Sequence, residues 1–264
     1  MKIQILPCRW PLKDQEWPLR MQAGIEAEGD QVEIGRHYRS GFDAYVFWGI
    51  RRRHGKQALA AGEKCVIVER GYLGDRVKKW LMVGIGGLNG MANFNNAKAP
   101  ADRWQQWDQL MMPWKLGGDY ALIMGQVPND SSLYGQCPYK WAEAVAVEAK
   151  KRYKHVFFRP HPEIGTARKI TGVEMLLNDY NEAIDNAAVV ITYSSNSAVD
   201  SVMRGTPAIS TIRGSMAWDV TSHRLDQPLY RGDRYAWACR LAYAQWHIDE
   251  IKSGEAWRHI RGGI

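Results

Sequence analysis

A chain of 264 residues with 45% hydrophobic and 24% charged residues has a globular composition, long enough for one large or two small domains and unlike a disordered or collagen-like chain. No apolar run reaches the roughly 18 residues of a membrane-spanning helix, and the first one stops at Pro7, so neither membrane insertion nor a signal peptide is expected. The formal net charge of +7 favours anionic partners, either nucleic acid or the phosphates of a small ligand, although a merely basic soluble enzyme has the same figure.

In chain order, residues 2–6 read as a strand and 44–48 (AYVFW) as a second one ending at Gly49. A short helix is expected over 56–61, then a compact buried strand over 65–68 (CVIV) ending at Glu69. The Gly- and Asn-rich stretch 83–94 reads as loop. A strand over 120–124 (YALIM) follows, and 140–153 carries Trp141, Ala144, Val145 and Ala149 at helical spacing. Strand 155–158, helix 173–187, strand 189–193, helix 196–204 and strand 208–210 complete an alternating β-α-β-α-β order, which predicts a parallel sheet covered on both faces. From 234 to 257 the pattern predicts one long amphipathic helix or two, with Trp237, Leu241, Ala244 and Ile248 on one face.

Pro113, Gly117 and Gly118 mark the expected linker, dividing the chain into α/β domains at 1–117 and 118–264. Four cysteines, Cys8, Cys65, Cys137 and Cys239, lack CxxC spacing, which argues against a zinc site or a disulfide framework and fits a reducing, cytoplasmic setting.

Three polar segments follow strands of the second half: GQVPNDSS from Gly125, RPHP from Arg159, and SSNSAVDSVMRGTP from Ser194. Lying at the carboxyl ends of strands, they are expected to converge on one cleft, where ligands of such folds bind. Ser194, Ser195, Asn196 and Ser197 open a helix and offer hydroxyls and N–H groups to an anion. Arg159 and His161 add donors to the same phosphate, and Asp200 can accept from ribose hydroxyls. Plain helix capping, a rigid strand exit and a turn account equally for the three segments taken singly. Three at equivalent strand ends favour one shared site.

In this order and spacing the segments resemble the nucleotide-binding half of the bacterial capsule Kdo transferases, which are GT-B glycosyltransferases. That family carries a Gln–x–x–x–Asp–x–Ser loop, matched by Gln126, Asp130 and its neighbour Ser131 with Ser132. It also carries an Arg/Lys–Pro–His–Pro element, and a Ser-rich helix start followed by an acidic residue and Arg–Gly. Upstream, VERGYLGD (68–75) is similar to the family's Glu–Asp–Gly–Phe–Leu–Arg segment, with Glu69–Arg70 in place of the acidic pair. Downstream, GSMAWD (214–219) is similar to its Tyr–Ala–Gly–Trp loop. The resemblance spans about residues 45–220 and implies an α/β fold of two Rossmann-like domains facing a cleft, with the C-terminal helices packing back. It also implies a nucleotide-sugar donor as the sole cofactor, with no essential metal; a UDP-sugar is the favoured donor.

A transferase of this kind needs a group opposite the donor to take the acceptor's proton. Glu69 is the first choice and Asp75 the reserve, the structural alternative being a pairing of Glu69 with Arg70 or Arg76. Leaving-phosphate charge falls to Arg159, His161 and the helix start. Two basic runs, Arg51, Arg52 and Arg53 with His54 and Lys56, and Lys78 and Lys79 with Arg76 and Trp80, interleave cations with aromatics in a way that suits DNA. In this the chain resembles the compact phage transferases that glycosylate 5-hydroxymethylpyrimidines in DNA. A surface-polysaccharide acceptor, a non-catalytic nucleotide-binding module, and solvated helix faces for the basic runs are the competing readings.

Overall fold

The apolar runs become strands of two separate sheets in the computed structural model, which describes residues 1–8, 12, 16–51, 53–76, 78–165 and 168–264. Unit 1 comprises Met1–Trp104 and Ala238–Ile264, and unit 2 comprises Gln105–Trp237.

Unit 1 begins β1 (Lys2–Leu6), α1 (Glu16–Ala27), β2 (Gln31–Ile34), β3 (Ala44–Trp48), α2 (Arg53–Ala60), β4 (Cys65–Arg70) and β5 (Trp80–Ile85). Strands β1 to β4 are parallel and β5 runs antiparallel to β4. Ile3, Ile5, Val46, Val66 and Val68 face one side of the sheet and pack with Met21 and Ile25 of α1. Each fully buried aliphatic side chain of this kind contributes about 1.5–3 kcal/mol.

Unit 2 contains β6 (Tyr120–Met124), α3 (Pro138–Lys150), β7 (Val156–Arg159), β8 (Glu174–Met175), α4 (Tyr180–Asp185), β9 (Ala187–Thr192), α5 (Ser197–Met203) and β10 (Ala208–Ser210). Its sheet is parallel throughout, in the order β10-β9-β6-β7-β8. Every residue of β6 is buried, as a central strand covered on both faces requires. Trp141, Ala142, Val145 and Ala149 of α3 supply part of the cover.

The chain then returns to unit 1 through α6 (Tyr235–Ala242), β11 (Gln245–His247), α7 (Ile248–Ser253) and α8 (Glu255–Arg261). The one or two helices expected over 234–257 are therefore three helices and a strand. β11 pairs antiparallel with β5, while Ile251, Trp257 and Ile260 enter the core beside α1. Gln245, wholly buried, breaks the helix by turning its side chain to the loop after β4, where Oε1 accepts from the N–H groups of Tyr72 and Leu73 at 2.6 and 2.8 Å. These contacts assign 238–264 to unit 1, not to the second domain expected at 118–264. The dividing point near 117 likewise moves to Trp104 and Gln105, because Met112 and Lys115 already donate backbone bonds to Met203 and Gly205 of unit 2.

Two other expectations change. The stretch 83–94, read as loop, begins with half of β5; Gly84 is accommodated there because Ala92 and Phe94 fill the space in which a side-chain carbon would come within 2.8 Å of each. The helix expected over 173–187 is split into β8 and α4. Asp179 accepts from the N–H groups of Asn181 and Glu182 and so starts α4 late, and Ala187 already opens β9. Among the described residues no helix is long and apolar enough to cross a membrane.

Candidate donor site at the carboxyl edge of unit 2

In unit 2, β6 comes first in the chain and lies centrally, with β7 and β8 on one side and β9 and β10 on the other. The winding reverses between β6 and β9, and a doubly wound sheet opens its ligand crevice at the carboxyl ends of such a pair. The loop after β6 carries Gln126, Asp130 and Ser131; the loop after β9 carries Ser194, Ser195, Asn196 and Ser197; Arg159 ends β7 next to them. Met124 is in register with Arg159, whose carbonyl accepts from Gly125 N–H at 2.8 Å. Three of the sequence-predicted segments thus share one edge.

A buried network fixes that edge. Gln126 Nε2 donates to Ser132 Oγ at 3.2 Å and to Ser194 Oγ at 3.1 Å, and its Oε1 accepts from Ser194 N–H at 3.0 Å. Ser194 Oγ donates to the Ser132 carbonyl at 2.7 Å, and Ser132 Oγ donates to Asp130 Oδ1 at 2.7 Å. Each hydroxyl both gives and receives, so the network closes on itself. Gln126 and Ser194 are 7% and 3% exposed, and their mutual bonds clamp the two loops together. Asp130 has the same structural role, capping the short turn Ser131–Leu133 through Ser132 N–H.

Half-buried polar residues surround the clamp. Ser195 Oγ accepts from Ser197 N–H at 3.2 Å and lies 3.0 Å from Ser197 Oγ, so part of the capping reading holds. Helix α5 has seven residues, starting one residue later than expected. His161 Nδ1 accepts from Glu163 N–H at 3.2 Å, which leaves the imidazole proton on Nε2 as a donor. Arg159 Nη1 donates to the Leu176 carbonyl at 3.3 Å, and its guanidinium stands 5.8 Å from the centre of the Tyr180 ring. Tyr180 in turn donates to Asp200 Oδ2 at 2.6 Å.

Tyr180 and Tyr134 were not singled out from the sequence. A signal for the first existed: Asp179 and Glu182 flank Tyr180 at capping spacing. Tyr134, in a left-handed conformation at φ 48°, lays its ring on Gly214, where a side-chain carbon would come within 2.8 Å. That contact ties the β6 loop to the GSMAWD segment. Burial pushes the Tyr134 phenol up to about 12, so it stays protonated at neutral pH.

The carboxyl edge of unit 1 holds the remaining predicted residues. Glu69 lies within β4, half-buried, with Oε1 accepting from Arg70 N–H at 2.9 Å. Asp75 is exposed and forms a turn, its Oδ1 accepting from Lys78 N–H and its carbonyl from Lys79 and Trp80. Arg51, Arg53, Lys78 and Lys79 are exposed, and their side chains enter no ion pair among the described residues. Arg52 lies outside the described residues. Strand β5 is antiparallel to β4, so its start brings Lys78 and Lys79 to the same sheet edge as Arg51 and Arg53.

No protein-family model matches the chain, and no curated protein matches its sequence. Among solved structures, the chain is similar to the Thermosulfurimonas dismutans KpsC β-Kdo 2,7 transferase, at 12% identity and a TM-score of 0.59, over 99% of both chains. It is also similar to the β-Kdo 2,4 transferase of the same organism's KpsC, at 16% identity and a TM-score of 0.64, over 94% of this chain and 92% of that one. At these identities the likeness shows the fold alone, an α/β architecture with two parallel-rich sheets.

Proposed function

We propose that the protein is a glycosyltransferase that moves a sugar from a nucleotide-sugar donor, a UDP-sugar by first preference, to an acceptor hydroxyl. The observation that carries this reading is the β6–β9 carboxyl edge, where a closed buried network holds two loops beside a rank of half-buried donors. The diphosphate or monophosphate of the donor would meet Arg159, the Nε2–H of His161, and the hydroxyls of Ser195 and Ser197. Charge that develops on the leaving phosphate would be stabilised by groups already oriented, which is where such sites gain most of their rate. No divalent metal is assigned a step.

Glu69 is proposed as the base that accepts the acceptor's proton as the new glycosidic bond forms and the bond from sugar to phosphate breaks. Asp75, spent on its turn, becomes a weak alternative. For the acceptor, a surface polysaccharide accords with the fold shared with the Kdo transferases. The exposed cations Arg51, Arg53, Lys78 and Lys79 favour a second reading, a 5-hydroxymethylpyrimidine in DNA, whose phosphates they would contact.

The test incubates the protein with UDP-, GDP- and CMP-sugars and with three acceptors: an acidic oligosaccharide, hydroxymethylated DNA and unmodified DNA. Mass spectrometry then reads the products. A sugar-sized mass gain on the oligosaccharide supports the first acceptor, and one on hydroxymethylated DNA alone supports the second. Nucleotide binding without transfer or hydrolysis for any donor would leave a non-catalytic binding module instead.

A further inference from the structure

Unit 2 carries a second concavity that shares no residue with the β6–β9 network. Between α3 and the segment after β10 lies a pocket of about 590 Å³ lined by Glu148, Lys151, Arg152, Thr211, His223 and Arg224, among others. That volume lies within the roughly 300–1,000 Å³ typical of small-ligand sites. Against it stands an unusual ring pair: Trp218 and His223 lie face to face, 3.5 Å apart and 4° from parallel. His223 Nε2 is 3.1 Å from the Trp218 carbonyl, which can only accept, so that nitrogen carries the proton and the imidazole is locked in its plane. His223 lines the pocket, and Trp218, stacked on its ring, does not.

The charges around the ring sort themselves. Lys151 pairs with Glu148 at 2.7 Å, and Arg224 grips both oxygens of Asp226. Arg152 is exposed, and its side chain has no hydrogen bond or ion pair among the described residues, although after Arg224 its charge also helps hold the Asp226 carboxyl low. An imidazole backed by an indole and a guanidinium with no hydrogen-bond partner line one pocket, which matches a ligand with a planar heterocycle and an anionic tail, since rings stack on such platforms and guanidinium groups bind phosphate in bidentate fashion.

We propose that this pocket is a second small-molecule site that takes a mononucleotide, with its base on His223 and its phosphate on Arg152. It is independent of the donor reading. Calorimetric titration with adenosine 5′-monophosphate tests it on the wild type and on Arg152→Ala, His223→Ala and, as a donor-site control, His161→Ala. Binding is expected to weaken at least about tenfold in Arg152→Ala and about fivefold or more in His223→Ala, and to persist in His161→Ala. Adenosine and inorganic phosphate should each bind more weakly than the nucleotide. Arg152 is exposed, so its variant keeps the test valid even if His223→Ala unsettles the loop. Affinity unchanged in Arg152→Ala, absent in the wild type, or lost only in His161→Ala overturns the proposal. Arg152-dependent nucleotide binding in a protein that transfers no sugar would overturn the donor reading alone.

Discussion

The carboxyl edges of the two sheets face the same problem, polar loops at strand ends, and solve it in opposite ways. In unit 2 the polar groups turn inward: Gln126, Ser132 and Ser194 are buried and bonded to one another, leaving a thin, fixed rank of donors at the surface. In unit 1 they turn outward, as Arg51, Arg53, Lys78 and Lys79 stand exposed without ion pairs among the described residues. A self-bonded edge costs little to reorganise on binding and suits a small ligand of one shape. Long, unpaired cations adapt to a larger anionic partner and give salt-dependent association.

That contrast can be broken at several points. Glu69→Gln has the largest expected effect, because the amide keeps the size of the side chain but accepts no proton. Turnover should fall about 10²–10⁴-fold while donor affinity holds within a few fold, as steady-state kinetics and calorimetry would read. Wild-type turnover would move the base elsewhere. Next comes the donor rank: Arg159→Ala should cost about 1.5–3 kcal/mol of nucleotide-sugar affinity, the value of a charge-assisted contact, with His161→Ala toward the lower end. Unchanged affinity in both variants would empty the unit 2 edge of its assigned role.

Gln126→Leu separates clamp from contact. It strands buried groups on Ser194 and Ser132, so urea unfolding should show a loss of about 1–3 kcal/mol. An unfolding curve like the wild type's would mean that the network does not hold the edge. The smallest effect on stability belongs to unit 1: Arg51→Gln with Arg53→Gln should shift it by no more than about 0.5 kcal/mol. If DNA is the acceptor, the same pair should flatten the salt slope of binding by about two units, alike for all sequences.

Most of unit 2 was legible because its strands are short β-branched runs between polar loops, a pattern with one physical reading in a doubly covered sheet. The convergence of the Gly125, Arg159 and Ser194 segments followed from position at strand ends alone. What the sequence hid was which polar residue points inward. The bonds from Gln126 to Ser194 depend on the pairing of β6 with β9, which the local sequence does not report. In unit 1 the glycine of β5 mimicked a loop, α1 contains a proline at Pro18, and Gln245 marks no turn by composition. Its value comes from two N–H groups more than a hundred residues earlier, at Tyr72 and Leu73, which no local pattern reports.

Unit 1 being assembled from two stretches of chain has a consequence for how the protein is made. On the ribosome, β1 to β5 emerge first, yet the edge of β5 and the apolar side chains of α1 stay uncovered until β11, α7 and α8 follow. Unit 2, drawn from one continuous stretch, has all its strands before then. Synthesis therefore favours a folding order that inverts the chain order, with the middle set before the beginning is sealed. Until the last strand arrives, the open edge of the first sheet is the surface that a chaperone has most reason to hold.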